Sequence, residues 1–344
     1  MSLKEALGVV LPIIQAPMAG VQGSALTVAV SNAGGLGSLP GAMLGLDTLA
    51  KELATIKSQT DRPYNVNFFC HEIPERSQKA EILWRNALTP FYKAHGIDPE
   101  AVPVGAKRVP FNSDAADVLE EFKPPVVSFH FGLPSDELLA RVKSFGAKVV
   151  SSATTVEEAL WLEEYGADVI IAQGVEAGGH RGMFLSHDLN SQIGTLALLP
   201  QIVTAVKTPV IAAGGIADKR GITAAMALGA AGVQLGTTYL LCHEAQTSQV
   251  HRAALQSEAA KHTALTNIFT GRPARAIVNF AMKELGPIHY GIPEFPLAAS
   301  SIAPLREVLE AHDSGNFSSL WCGQNATGCK AISAAELTRE LVGG

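Results

Sequence analysis

Eight short runs of strand type recur along the chain, in order "PIIQAP", "GLGSL", "YNVNFF", "VVSFHF", "KVVSSA", "DVIIAQ", "PVIAAG" and "GVQLG". Each is built of β-branched and small apolar residues, and most are separated by stretches of helical spacing or good helix formers. Ser135–Phe145, Thr155–Tyr165, Ile193–Val206 and Asp218–Leu228 read as amphipathic helices. Several open on Ser, Thr or Asp, whose side chains accept from the free N–H groups of a first helical turn. An alternation that closes at eight predicts a (β/α)8 TIM barrel in preference to a doubly wound open sheet. Two spacings exceed a plain repeat, residues 70–125 and 240–320, and are expected to be helical insertions forming a lid on a single domain spanning 1–344.

Such a chain can bury a large core, since 47% of its 344 residues are hydrophobic and 17% charged. A net charge of -6 with no block of Lys or Arg excludes a nucleic-acid surface, which needs clustered cations. Cys70, Cys242, Cys322 and Cys329 show neither a CxxC pair nor zinc-ligand spacing, so they read as reduced thiols of a cytoplasmic protein, and no metal is expected. The uncharged stretch from Ala6 to Leu46 is broken too often by Pro and Gly to span a membrane. The start "MSLKEALGVV" does not read as a signal peptide. The expected partner is a small molecule; the oligomeric state is left open.

Reactive groups of a TIM barrel stand at the carboxyl ends of its strands, and that rule sorts the polar residues. The sixth run ends at Gln173 and continues as "GVEAGGHRG", where Glu176, Gly178, Gly179, His180 and Arg181 mark the barrel mouth. Glycines there let backbone approach a ligand, and an imidazole is a base or donor near neutral pH. Arg181 is expected to be a loop or surface residue whose change to Lys matters little. The seventh and eighth runs end "AAGGIAD" and "QLGTTY", two glycine turns with N–H groups suited to phosphate. Asn65 and Asn67 share one face of the third run, and Asn67 with Gln173 offers amide edges to a flat heterocycle. His130 ends the fourth run, and Met18 follows the first, where core filling is the plainer reading. "GGLGSLPG" lacks the order of a dinucleotide fingerprint, and no H-E-x-x-H, G-x-S-x-G or Walker motif occurs.

Together, "PIIQAPMAG", "NAGGLGS", "NVNFFCH", "VSFHFG", "ADVIIAQGVEAGGHRG", "PVIAAGGIAD", "GVQLGT" and "LWCGQNA" resemble the nitronate monooxygenases, formerly called 2-nitropropane dioxygenases, and among them the bacterial class I branch. The resemblance implies an FMN-containing barrel that oxidises alkyl nitronates such as propionate 3-nitronate with O2, giving carbonyl compounds and nitrite or nitrate. It places Met18, Asn67, Gln173, Gly178, Gly179, Gly214, Gly215, Gln234, Leu235, Gly236 and Thr237 at the cofactor, His180 as the catalytic histidine and His130 at the substrate. The tail reads "WCGQ" where Ala or Ser is more usual. Flavin barrels that reduce quinones with NADH, or the double bond of enoyl thioesters, share the "EAGGH" type of loop and remain as alternatives. A sugar-phosphate aldolase or isomerase would need a Lys or carboxylate pair at strand ends, and neither is present.

Overall fold

In the computed structural model, which describes residues 1–103, 105 and 108–343, all eight runs are strands. They are β1 (Ile13–Gln15), β2 (Gly37–Pro40), β3 (Tyr64–Phe69), β4 (Val126–His130), β5 (Lys148–Ala153), β6 (Val169–Gln173), β8 (Val210–Ala213) and β9 (Gly232–Leu235). A two-residue strand, β7 (Gly179–His180), intervenes, and β10 (Thr263–Thr266) and β11 (Ala274–Ile277) follow. The eight pair in parallel in the order β1-β9-β8-β6-β5-β4-β3-β2. A parallel bridge between Ile14 and Leu36 joins the two ends and closes the barrel. The four helices expected from the pattern span Asp136–Ser144, Val156–Glu164, Thr195–Ala205 and Lys219–Ala227. Ser135, Thr155 and Asp218 cap three of them. The remaining helix starts after Gly194, and Glu176 supplies the acceptor, both carboxylate oxygens lying 2.9 Å from the Thr195 N–H. Glu176 thus caps a helix from the preceding loop.

The amino-terminal end of the barrel is shut by the helix Leu3–Leu7, whose Leu3 and Leu7 join Ile14, Leu36, Val126, Val150, Val169 and Ile211 in one buried cluster. At the opposite end the inward positions turn polar: Asn65 donates to the hydroxyls of Ser38 (3.0 Å) and Ser128 (2.8 Å). The site therefore sits on a hydrogen-bonded layer above an apolar floor. The two long spacings pack on each other: Trp84, Leu88 and Tyr92 of the helix Gln78–Ala94 share a cluster with Ile268, Phe269, Ala276, Ile302 and Leu305. β11 pairs antiparallel with β10 and with β7, setting Ala274 opposite His180. The glycine loop after β6 is thereby an edge strand of a second sheet.

Arg181 overturns the expectation of a surface residue, for it is wholly buried. Its Nη2 donates to the Gln173 carbonyl (2.6 Å), Nη1 to the Gly174 carbonyl (2.7 Å) and Nε to Gln192 Oε1 (2.9 Å). The sequence pattern of a glycine turn hid this, because the side chain folds back beneath the loop that carries it. Burial pushes the guanidinium down to about 9, and the fork of donors offsets that cost by satisfying acceptors at the strand end. An ammonium on a linear stem cannot reach all three. Arg181→Lys is expected to lose about 3 kcal/mol, since each stranded buried acceptor costs about 1–3 kcal/mol; urea denaturation of the two proteins checks it, and a difference under about 0.5 kcal/mol, the usual range for surface changes, contradicts it.

Candidate active site

Alternate residues along each strand face inward, and at the carboxyl ends these line one cavity: Asn67 and His130, Ser128 and Ser152, Ile171 and Gln173, Ala213 and Gln234. Every residue that the resemblance places at the cofactor or the substrate lies on its wall, namely Met18, Asn67, His130, Gln173, Gly178, Gly179, His180, Gly214, Gly215, Gln234, Leu235, Gly236 and Thr237, whereas Asn65, Glu176 and Arg181 do not. Arg108, His251, Trp321, Gly323 and Asn325 line it too and were not anticipated as site residues. Arg108 lies in an insertion without strand context, so no pattern pointed to it. Trp321 and Gly323 belong to the "LWCGQNA" run, whose spacing alone assigns no position in the fold.

The glycine turns after β8 and β9 meet the C-terminal segment. Gly323 N donates to Thr237 Oγ1 (2.9 Å) and Asn325 Nδ2 to the Gly215 carbonyl (2.9 Å). A side chain at Gly178 would bring its Cβ within 2.5 Å of Gly323 N, so only glycine allows this approach. Gly214 and Gly215 have φ of 118° and 72°, in the region glycine favours. Among the described residues nothing accepts from the backbone N–H groups of Gly215, Gly236 and Thr237. These can hold an anionic oxygen. Met18 packs over Gly236, its Sδ 3.7 Å from where a Cβ would stand.

The amides divide by use. Gln173 is spent on the loop, Nε2 donating to the His180 carbonyl (3.0 Å) and Oε1 accepting from Gly182 N (2.7 Å). Asn67 uses Nδ2 on the Ser128 carbonyl (3.2 Å) and hydroxyl (2.9 Å). That leaves its Oδ1, and the whole amide of Gln234, to meet the polar edge of a ligand.

Four imidazoles stand in or beside the cavity, His71 and His251 buried and His130 and His180 half-buried. His130 Nε2 lies 3.2 Å from the His180 carbonyl and His251 Nε2 lies 3.1 Å from the Trp321 carbonyl. A carbonyl only accepts, so in both rings Nε2 carries the proton. His180 Nε2 meets Thr270 Oγ1 at 2.9 Å. His71 packs edge-on against Phe295 at 4.8 Å and faces the Arg108 backbone. Phe131 has a φ of 73°, and its ring is covered by the Arg272 guanidinium at 3.9 Å, a cation–π contact that helps hold this strained backbone.

Burial, then the charge of Arg108, holds His180 well below the ordinary imidazole range. Burial also lowers His71, His130 and His251, each to about 4. All four are neutral at pH 7. The thiols of Cys242, Cys322 and Cys329 are pushed up to about 12 by burial, which removes them as nucleophiles.

An unfolded histidine takes up a proton near pH 6.5 whereas folded His71, His130 and His251 do so near 4, so the unfolded state binds more protons between those values. Stability is therefore complete above about pH 6.5 and falls as pH drops towards 4, by about 1.4 kcal/mol per unit for each histidine. Melting temperature measured from pH 7.5 to 5 should decline, and His71→Phe, which fits the surrounding phenylalanines, should decline less. Parallel curves for the two proteins contradict this.

The family model described as nitronate monooxygenase matches residues 1–344. A nitronate monooxygenase of Paraburkholderia phytofirmans is 40% identical over 338 residues, covering 97% of this chain and 92% of that protein. One of Pseudomonas aeruginosa is 40% identical over 341 residues, covering 98% and 96%. Among solved structures, a nitroalkane oxidase from Streptomyces ansochromogenes superposes with a TM-score of 0.89 at 36% identity, covering 99% and 96%. FabK from Thermotoga maritima gives 0.73 at 28%, covering 99% and 94%. Likeness over the full length, in sequence and in barrel, places this chain in the nitronate monooxygenase family.

Proposed function

We propose that this protein is an FMN-dependent monooxygenase of alkyl nitronates, propionate 3-nitronate among them, which uses O2 to yield carbonyl compounds and nitrite or nitrate. The observation that carries the reading is the cavity's charge: among the described residues no Asp or Glu lines it, while two sets of groups on its wall seek anions. The free N–H groups of Gly215, Gly236 and Thr237 suit the phosphate of FMN. Asn67 Oδ1 and the Gln234 amide suit the polar edge of its ring system, and Met18 suits a flat face. The second set is His180 with Arg108, and Arg108 forms no ion pair among the described residues.

Flavin, when bound, supplies an acceptor for the electrons of the nitronate and a reductant for O2. A nitronate is already a carbanion equivalent, so the protein's task is to hold and orient it rather than to remove a proton. His180 contributes a neutral hydrogen-bonding ring and Arg108 a fixed positive charge. Phe69, Phe131 and Phe295, all buried and in mutual contact, give the site an apolar wall that sheds water.

The NADH:quinone and enoyl-thioester reductases would use the same phosphate loops, so reactivity separates them. The purified protein should release FMN, not FAD, on heating. Anaerobic nitronate should bleach its flavin within the mixing time of a cuvette experiment while NADH acts slowly or not at all; the reverse result would transfer the protein to the reductases.

Arg108 generates a sharper expectation. Replacing it with Met should lower kcat/KM for propionate 3-nitronate about 10–100-fold, the worth of one charge-assisted hydrogen bond to its carboxylate. Unsubstituted propyl nitronate should be turned over nearly as before. Equal losses on both substrates would show that Arg108 does not read the carboxylate.

A further inference from the structure

The hydrogen bond between His180 and Thr270 decides what the histidine can do, and the contacts around it point one way. Thr270 is buried on the segment between β10 and β11. Its hydroxyl has a single proton and two acceptors in range, His180 Nε2 at 2.9 Å and the Arg272 carbonyl at 3.4 Å. The second distance is beyond the usual 2.5–3.0 Å range for hydroxyl donation to oxygen. Arg272 N, at 3.5 Å, approaches the same hydroxyl as a donor and so favours its lone pairs on that side. We propose that Thr270 is a positioning residue whose hydroxyl donates to His180 Nε2, holding the ring as the Nδ1–H tautomer and presenting that N–H to the substrate as an anchor for a nitronate oxygen.

Three further observations support the assignment. His180 lines the cavity, and among the described residues Nδ1 has no protein partner and is not sealed off from the open space. The ring cannot turn freely, being wedged between Phe295 at 5.3 Å and Trp321 at 5.4 Å. The charged and titratable groups facing it are Arg108, Arg272, His71 and His130, none of them a carboxylate that would accept from Nδ1. Among the described residues nothing accepts from this N–H, and the anion that satisfies it comes from outside. Thr270 was invisible in the sequence because it lies in the insertion and reaches the site only through the pairing of β7 with β11.

The proposal deepens the nitronate reading and rests on it for the identity of the anion, but the tautomer can be tested apart from turnover. In holoenzyme labelled with ring-15N histidine, the resonances that vanish in His180→Asn should report a proton on Nδ1 and a bare Nε2 at pH 7. A proton on Nε2 overturns the proposal, whether or not any nitronate is oxidised. Thr270→Val should lower kcat/KM for the nitronate about tenfold to a hundredfold, the worth of a hydrogen bond to a charged group, with FMN retained. Thr270→Ser, which keeps the hydroxyl, should restore it. Unchanged kinetics in Thr270→Val, or failure of Ser to rescue, also overturns it. Should Thr270→Val not fold, the wild-type spectrum decides. A protein that oxidises no nitronate yet shows the Nδ1 proton would sink the functional reading and leave the tautomer standing.

Discussion

Arg181 ties together the end of a barrel strand and the loop that follows it, through the carbonyls of Gln173 and Gly174 and the amide of Gln192. Because the residue is itself on the loop, the guanidinium forces the chain to double back within eight residues and delivers His180 to the mouth of the barrel. Gln173 completes the closure from the strand side by bonding to residues 180 and 182. Glu176, midway, is anchored to the start of the next helix at Thr195. A loop rich in glycine would otherwise sample many shapes at low cost. Three polar side chains remove that freedom, and the imidazole inherits a fixed position.

The barrel was legible because its information is local. Each strand carries its own apolar run and three of the four expected helices their own cap, and Ser135, Thr155 and Asp218 all serve as read. The candidate site was legible for the same reason wherever it is built from strand ends: Asn67, His130 and Gln173 follow from the two-residue period and the rule about carboxyl termini, whereas Gln234 came from the resemblance. What lay beyond reading is what the chain brings from far away. Arg108, Thr270, His251 and Trp321 come from segments whose place over the mouth depends on tertiary packing. Arg181 failed for a different reason, since a long side chain can turn back under its own loop, and residue type gives no direction.

Charge gives the pocket its character. The protein is acidic as a whole, with a formal charge of -6, yet around His180 the neighbours are Arg108, Arg272 and two further imidazoles. Burial keeps the imidazoles neutral, and the arginines stay charged. The result is a site whose positive potential comes from groups that do not titrate near neutral pH, paired with a histidine that contributes geometry instead of charge.

The pairing of β7 with β11 also bears on how the molecule comes into being. A chain leaving the ribosome has all eight barrel strands once Leu235 is out, although Ala334, Leu337 and Leu341 of the C-terminal helix have still to join the core. His180 still lacks its strand neighbour Ala274, and Gly178 still lacks the Gly323 against which it packs. The barrel strands are thus all present during synthesis before the wall of the pocket is. The mouth then has its glycine turns but lacks one wall, so the pocket takes its final shape only with residues 263–277 and 321–323 in place.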